Sequence, residues 1–168
     1  MVMNEERIKN LIRNWRQKSH QEGDPFASFV FIWFCFNAWM EHKSNKYTDG
    51  GMIEEVCNRA PNVASLSNSY DNVFISNDTF FKNSIAKLVG MSQEDSIKDV
   101  RGNRRGIIIN NENDYRNIVK AIYKIRCNLF HGGKDSNDVR DQELVKCSAM
   151  ILRQWIGNLI AGWDKEKT

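Results

Sequence analysis

The 168-residue chain is poor in the side chains that hold metals and disulfides, with four cysteines and three histidines. Cys35, Cys57, Cys127 and Cys147 form no Cys-x-x-Cys pair, and the histidines at 20, 42 and 131 lie far apart. A structural zinc site therefore has no ligand set to stand on, and no cofactor is expected. Three of the cysteines fall in apolar, helical-looking stretches, which reads as free buried thiols of a protein kept in a reducing cytoplasm. Long hydrophobic runs are missing too. The most apolar stretch, residues 26–40, is shorter than the roughly 20 residues of a membrane span, contains Asn37 and is followed by Glu41, His42 and Lys43. Residues 1–21 are charged and amphipathic, without the apolar centre or small-residue cleavage site of a secretory leader. With no repeats, low-complexity tracts or dividing linker, one domain over 1–168 and no membrane partner are expected.

What is present argues for a folded, helical chain. Hydrophobic residues at 41% and charged residues at 27% match a globular composition rather than a disordered one. Ile8, Leu11, Ile12 and Trp15 recur at helical spacing, predicting a first helix over 4–18. Asp24 before Pro25 is a helix start, since proline lacks an N–H that would have no partner there. The helix to about residue 42 is apolar nearly all round, which predicts a central position surrounded by other helices. Asp49-Gly50-Gly51 reads as a turn, and 53–59 as a short helix ahead of Pro61. Phe80 to Val89 reads as a helix closed by Gly90, and 107–109 as a short extended piece. Asp114 or Asn113 caps a helix from Tyr115 to about Phe130, stopped by Gly132-Gly133, and a long last helix covers about 138–163. The expected fold is an all-α bundle of four to five main helices, with an irregular segment around 62–111.

Charge is distributed unevenly. Residues 98–134 hold nine Lys/Arg against three acids, an excess of six positive charges, while the rest of the chain sums to three negative. Such a segment suits a polyanionic partner, although a solvated basic helix face carries the same signature.

The same segment holds the most specific pattern. Ile118, Ile122, Ile125 and Leu129 form the apolar row of the 115–130 helix, flanked by Val119, Tyr123 and Phe130. Arg126 falls in that second row, so its guanidinium must find partners or line a cleft. His131 follows at the helix end, where the dipole favours an imidazolium. The string Arg126-Cys-Asn-Leu-Phe-His131, continued by Gly132-Gly133-Lys134, resembles the Arg-x4–6-His motif of the HEPN superfamily. With the earlier block 29–39, whose Trp33-Phe-Cys-Phe-Asn-Ala38 is similar to a Trp-x-x-Phe-Asn-Ala helix, it looks closest to the ApeA-like branch. Cys127 departs from the pattern, which often carries Asn, Asp or His after the arginine.

The resemblance implies a metal-independent endoribonuclease that works as a homodimer, serving in toxin–antitoxin or anti-phage defence, with a protein inhibitor or partner enzyme possible. The chemistry is coherent. Attack by a ribose 2′-OH on its neighbouring phosphate needs a base, an acid and positive charge on the phosphorane, and leaves a 2′,3′-cyclic phosphate and a 5′-OH. His131 supplies proton transfer and Arg126 a two-pronged phosphate grip. Five helical residues turn through about 140°, so the two side chains do not face the same way unless the helix unwinds or a second copy contributes. Asn128, Lys134, Arg101, Arg104 and Arg105 are candidate contacts for the RNA backbone or the histidine ring. Asn37 is a candidate brace for the motif helix. The rival expectation is a non-catalytic HEPN module that binds RNA or nucleotides, or that dimerises to serve another enzyme such as a nucleotidyltransferase.

Overall fold

Each helix starts where a short polar side chain can accept a backbone N–H that the helix itself leaves unpaired. Asn4, Asp24, Thr48, Ser65, Asp78, Asp114 and Asp138 do this in turn. The computed structural model describes residues 4–62, 64–101 and 105–166. They form α1 (Glu5–Gln21), α2 (Pro25–Lys43), α3 (Asp49–Asn58), α4 (Leu66–Ile75), α5 (Thr79–Glu94), α6 (Tyr115–Phe130) and α7 (Val139–Lys165). The fold is all-helical among the described residues. The only strand-like pairing there is one antiparallel bridge, Ile97 with Ile107, closed by N–H···O bonds of 3.0 and 2.9 Å. No helix is long and apolar enough to cross a membrane among them.

The long α7 and the apolar α2 run through the core, with Trp33, Trp155 and Trp163 almost fully buried. The expectation that α2 is surrounded holds for only part of its circumference. Ala27, Val30, Phe31, Phe34, Asn37 and Ala38 lie within about 120° of one side, and none is fully buried, with Phe34 39% exposed. Trp15 of α1 covers the edge of this stripe, 5.4 Å from Phe31 and 5.2 Å from Phe34.

Two local readings change. The residues 49–51 read as a turn are the first turn of α3, because Thr48 accepts the Gly51 N–H at 3.2 Å. The helix at 80–89 runs on to Glu94, with Gly90 inside it rather than closing it. A Cβ at Gly90 would touch nothing within 4 Å, and its φ is not in the left-handed range. Gly90→Ala should therefore stabilise the fold by about 0.5–1 kcal/mol, read as a higher midpoint in urea with unchanged slope.

The irregular segment expected around 62–111 contains all of α4 and α5. Beyond α5, Ile97 and Ile107 form the bridge, and residues 107–113 lead to the Asp114 cap. Burial alone would raise the Asp114 carboxyl. Hydrogen bonds from the Asn110 N–H at 3.1 Å, from the Asn117 amide at 2.8 Å and N–H at 3.4 Å, and from the Asn110 amide at 2.9 Å outweigh it and hold the group below its ordinary value. A depressed carboxyl stabilises above its unfolded pKa and loses that stabilisation as pH falls through the folded one. Asp114→Ala should cost ~1–2 kcal/mol at neutral pH. The gap to wild type should close as urea melts are repeated at progressively more acid pH.

Candidate active site

The end of α6 is organised by its cap. Gly132, at φ 70°, donates to Leu129 O at 3.2 Å and Gly133 donates to Asn128 O at 2.7 Å, the paired bonds of a Schellman ending. Only Gly132 needs glycine for its backbone angle. Gly133 needs it for space, because a Cβ would lie 2.5 Å from Val100 Cγ2. The strap 98–101 is thus pressed against the helix end. Asn128 fastens it, accepting the Val100 N–H at 3.1 Å and donating to Lys98 O at 2.7 Å, while Lys124 reaches Asp99 at 3.3 Å.

This corrects the role expected for Asn128. It is 3% exposed and both ends of its amide are engaged by main chain, so it offers nothing to a phosphate or to the histidine ring. Lys134 is also withdrawn: its side chain is 7% exposed and its ammonium sits 2.5 Å from Asp141. Asn37 does not brace α6 by any hydrogen bond. Its amide donates to Glu41 at 2.8 Å, one turn along its own helix, and its Oδ1 is buried without a partner. Arg105 is exposed, Arg101 lies loosely 3.8 Å from Asp99, and Arg104 lies outside the described residues.

Arg126 does find partners, as a guanidinium in an aromatic row must. It lies over the Phe130 ring at 4.7 Å and the Trp33 ring at 5.6 Å, and its Nη1 is 3.2 Å from Asp49 at the start of α3. Its Nε is buried with no acceptor. A quarter of the side chain stays exposed. Trp33 in turn stacks on Tyr123 at 6.1 Å. Burial, then a hydrogen bond shared with Cys127, pushes the Tyr123 hydroxyl up to about 12, so it stays protonated. Cys127, 5% exposed, faces inward and adds little to the open surface beside Arg126.

His131 caps α6 and is exposed, its N–H bonded to Cys127 O at 3.1 Å. The helix stays regular through Phe130, so it does not unwind to bring the pair together. At 1.5 Å per residue the two positions are about 7.5 Å apart along the axis and about 140° apart around it. Within one chain they present two separate surfaces.

The structure also thins the positive segment. Lys98, Arg101, Lys120, Lys124, Arg126 and Lys134 all have carboxylate neighbours, and four of these come from outside 98–134: Asp95, Glu54, Asp49 and Asp141. The net excess read from the sequence therefore overstates the local field. Asp49 is the participant that sequence reasoning missed, 77 positions from Arg126, because nothing local marks it as more than a turn residue. Beside it lies an open depression of about 410 Å³ lined by Glu41, Tyr47 and Met52, with Tyr47 fully exposed. Among the described residues no three His, Cys, Asp or Glu side chains converge as metal ligands would.

Comparison with protein families, with curated proteins and with solved structures found no match to the chain.

Proposed function

We propose that this protein is an endoribonuclease whose site forms between two copies of the chain, Arg126 gripping the scissile phosphate and His131 moving protons. The observation that carries this reading is the state of Arg126. Among the described residues its charge rests on two aromatic faces, a single carboxylate meets it, and one of its donors has no acceptor. A guanidinium so placed can take a phosphate in exchange for Asp49 and stack a base on the partly exposed Phe130 beside it.

A second copy supplies what one chain lacks. The half-covered apolar stripe of α2 borders Trp33, on which Arg126 rests, and it is a surface that self-association would bury. A two-fold pair brings two His131 side chains. One takes the proton of the attacking 2′-OH as its oxygen bonds to phosphorus, and the other protonates the 5′-oxygen as the P–O bond breaks. The 2′,3′-cyclic phosphate and 5′-OH result.

One observation favours a second reading, a non-catalytic dimerising or RNA-binding module. Most cations of the basic segment are already paired, which weakens the field that would gather RNA. Incubating purified protein with RNA and with DNA of the same sequence, both in EDTA, separates the two. RNA cut to 2′,3′-cyclic phosphate ends, with DNA untouched, supports the nuclease. Retention of intact RNA, or no binding at all, supports the module.

A further inference from the structure

A second cationic site lies away from α6, in the cleft between α1 and α7. This cleft holds about 530 Å³, within the roughly 300–1,000 Å³ of small-molecule sites, and its floor is Ile12, Ile160 and Ala161. Arg16 and Arg153 line it together. Neither forms an ion pair with a carboxylate among the described residues. Arg16 uses its Nε to donate to Arg153 O at 2.7 Å, and its two terminal nitrogens have no acceptor among the described residues. Its guanidinium lies flat on α7 at Gly157, where a Cβ would come within 2.6 Å of Nη2. Arg153 holds the α1–α2 elbow through Ser28 Oγ at 2.7 Å and Ser19 O at 3.1 Å, all from Nη1. Its Nη2 meets only the Met150 sulfur, at 4.0 Å. Burial first, and Arg16 second, lower the affinity of Arg153 for its proton.

Two guanidiniums that line one cleft, with no carboxylate within 4.0 Å of either among the described residues, favour an anionic occupant. The one carboxylate in the cleft, Asp164, is already claimed by Lys9 and Arg13, each at 2.9 Å. The geometry points to a binding site for a small phosphate-bearing molecule, its phosphoryl oxygens on the terminal nitrogens of Arg16, the charge of Arg153 beside them, and its organic body on the apolar lining. The cleft takes a compound of nucleotide size, and a carboxylate would fill the Arg16 fork less well than a phosphoryl group. This site does not depend on Arg126 or His131, and its success or failure leaves the nuclease reading untouched.

Calorimetric titration of the full chain with inorganic phosphate, pyrophosphate, adenosine 5′-diphosphate and acetate tests it. Saturable one-to-one binding of a phosphate probe is expected, with acetate silent. Arg16→Gln should weaken that binding roughly tenfold or more. Tighter binding of the nucleotide than of pyrophosphate assigns the floor to an organic body, and equal binding assigns the site to free polyphosphate. If Arg16→Gln fails to fold, Ala161→Phe fills the cleft without touching either guanidinium and should abolish nucleotide binding. Absence of saturable binding by every phosphate probe overturns the proposal. So does binding that is unchanged in each folded variant.

Discussion

His131→Ala should slow RNA cleavage by ~10²–10⁴-fold while leaving helix content and urea midpoint nearly unchanged, since this is the usual range for losing a positioned proton-transfer group. The stability half of the expectation follows from exposure. The side chain makes no hydrogen bond among the described residues, the Schellman bonds at 131–133 are main chain to main chain, and a surface change of this kind moves stability by about 0.5 kcal/mol or less. Arg126→Ala should cost ~10²–10³ in rate, as removal of a fixed electrostatic group does. It also frees Asp49 and uncovers Trp33, so a modest loss of stability accompanies it. The two variants read together are diagnostic. A site lost in a folded protein gives a collapsed rate with an intact circular dichroism spectrum and an unchanged mass in solution. Equal cleavage by wild type and both variants would remove the pair from the reaction altogether.

Trp155→Ala should be the most damaging single change to the fold, at ~4–5 kcal/mol, a large part of the ~5–15 that a domain has. Trp155 is fully buried, and its indole N–H donates both to Leu66 O and to Ser69 Oγ at 2.9 Å. Truncation leaves a cavity and removes the indole donor from Ser69 Oγ, while Leu66 O keeps the bond it accepts from Ser69 Oγ at 3.0 Å. In a domain of this size the melting temperature should fall by roughly 10–15 °C. Trp155→Phe separates the contributions: it keeps most of the volume and loses the N–H, and should cost ~1–3 kcal/mol. Hydrogen exchange should then speed up first in α4. A melt unaltered by Trp155→Ala would mean that α4 is held by something else.

That helix also explains what the sequence could and could not reveal. Residues 66–75 are Leu-Ser-Asn-Ser-Tyr-Asp-Asn-Val-Phe-Ile, and serine, asparagine and aspartate compete for backbone hydrogen bonds and weaken helices. The segment is helical because Leu66, Ser69, Tyr70 and Val73 are buried on one side, with Trp155 fixing the first turn. That is tertiary information, delivered from 86–89 positions away. By contrast α2, α6 and α7 start where Asp24, Asp114 and Asp138 announce them, because caps are local chemistry. The candidate site divides in the same way. Arg126 stood out as a charge in an apolar row, and its need for partners followed from that alone. That its partner is Asp49, and that Asn128 and Lys134 are used up holding a strap and a helix start, depends on chain crossings no spacing encodes.

The way the strap is fastened bears on how His131 is held. Every polar tie of residues 98–101 to α6 lands on its last two turns, at Lys124 and Asn128, and the Val100 side chain fills the space that Gly133 leaves. The final turn is therefore gripped from outside like a spring end in a clip. Cutting the chain between 98 and 101 would leave α6 wound but loosen its tip, and His131 would shift before the bundle lost any of its core.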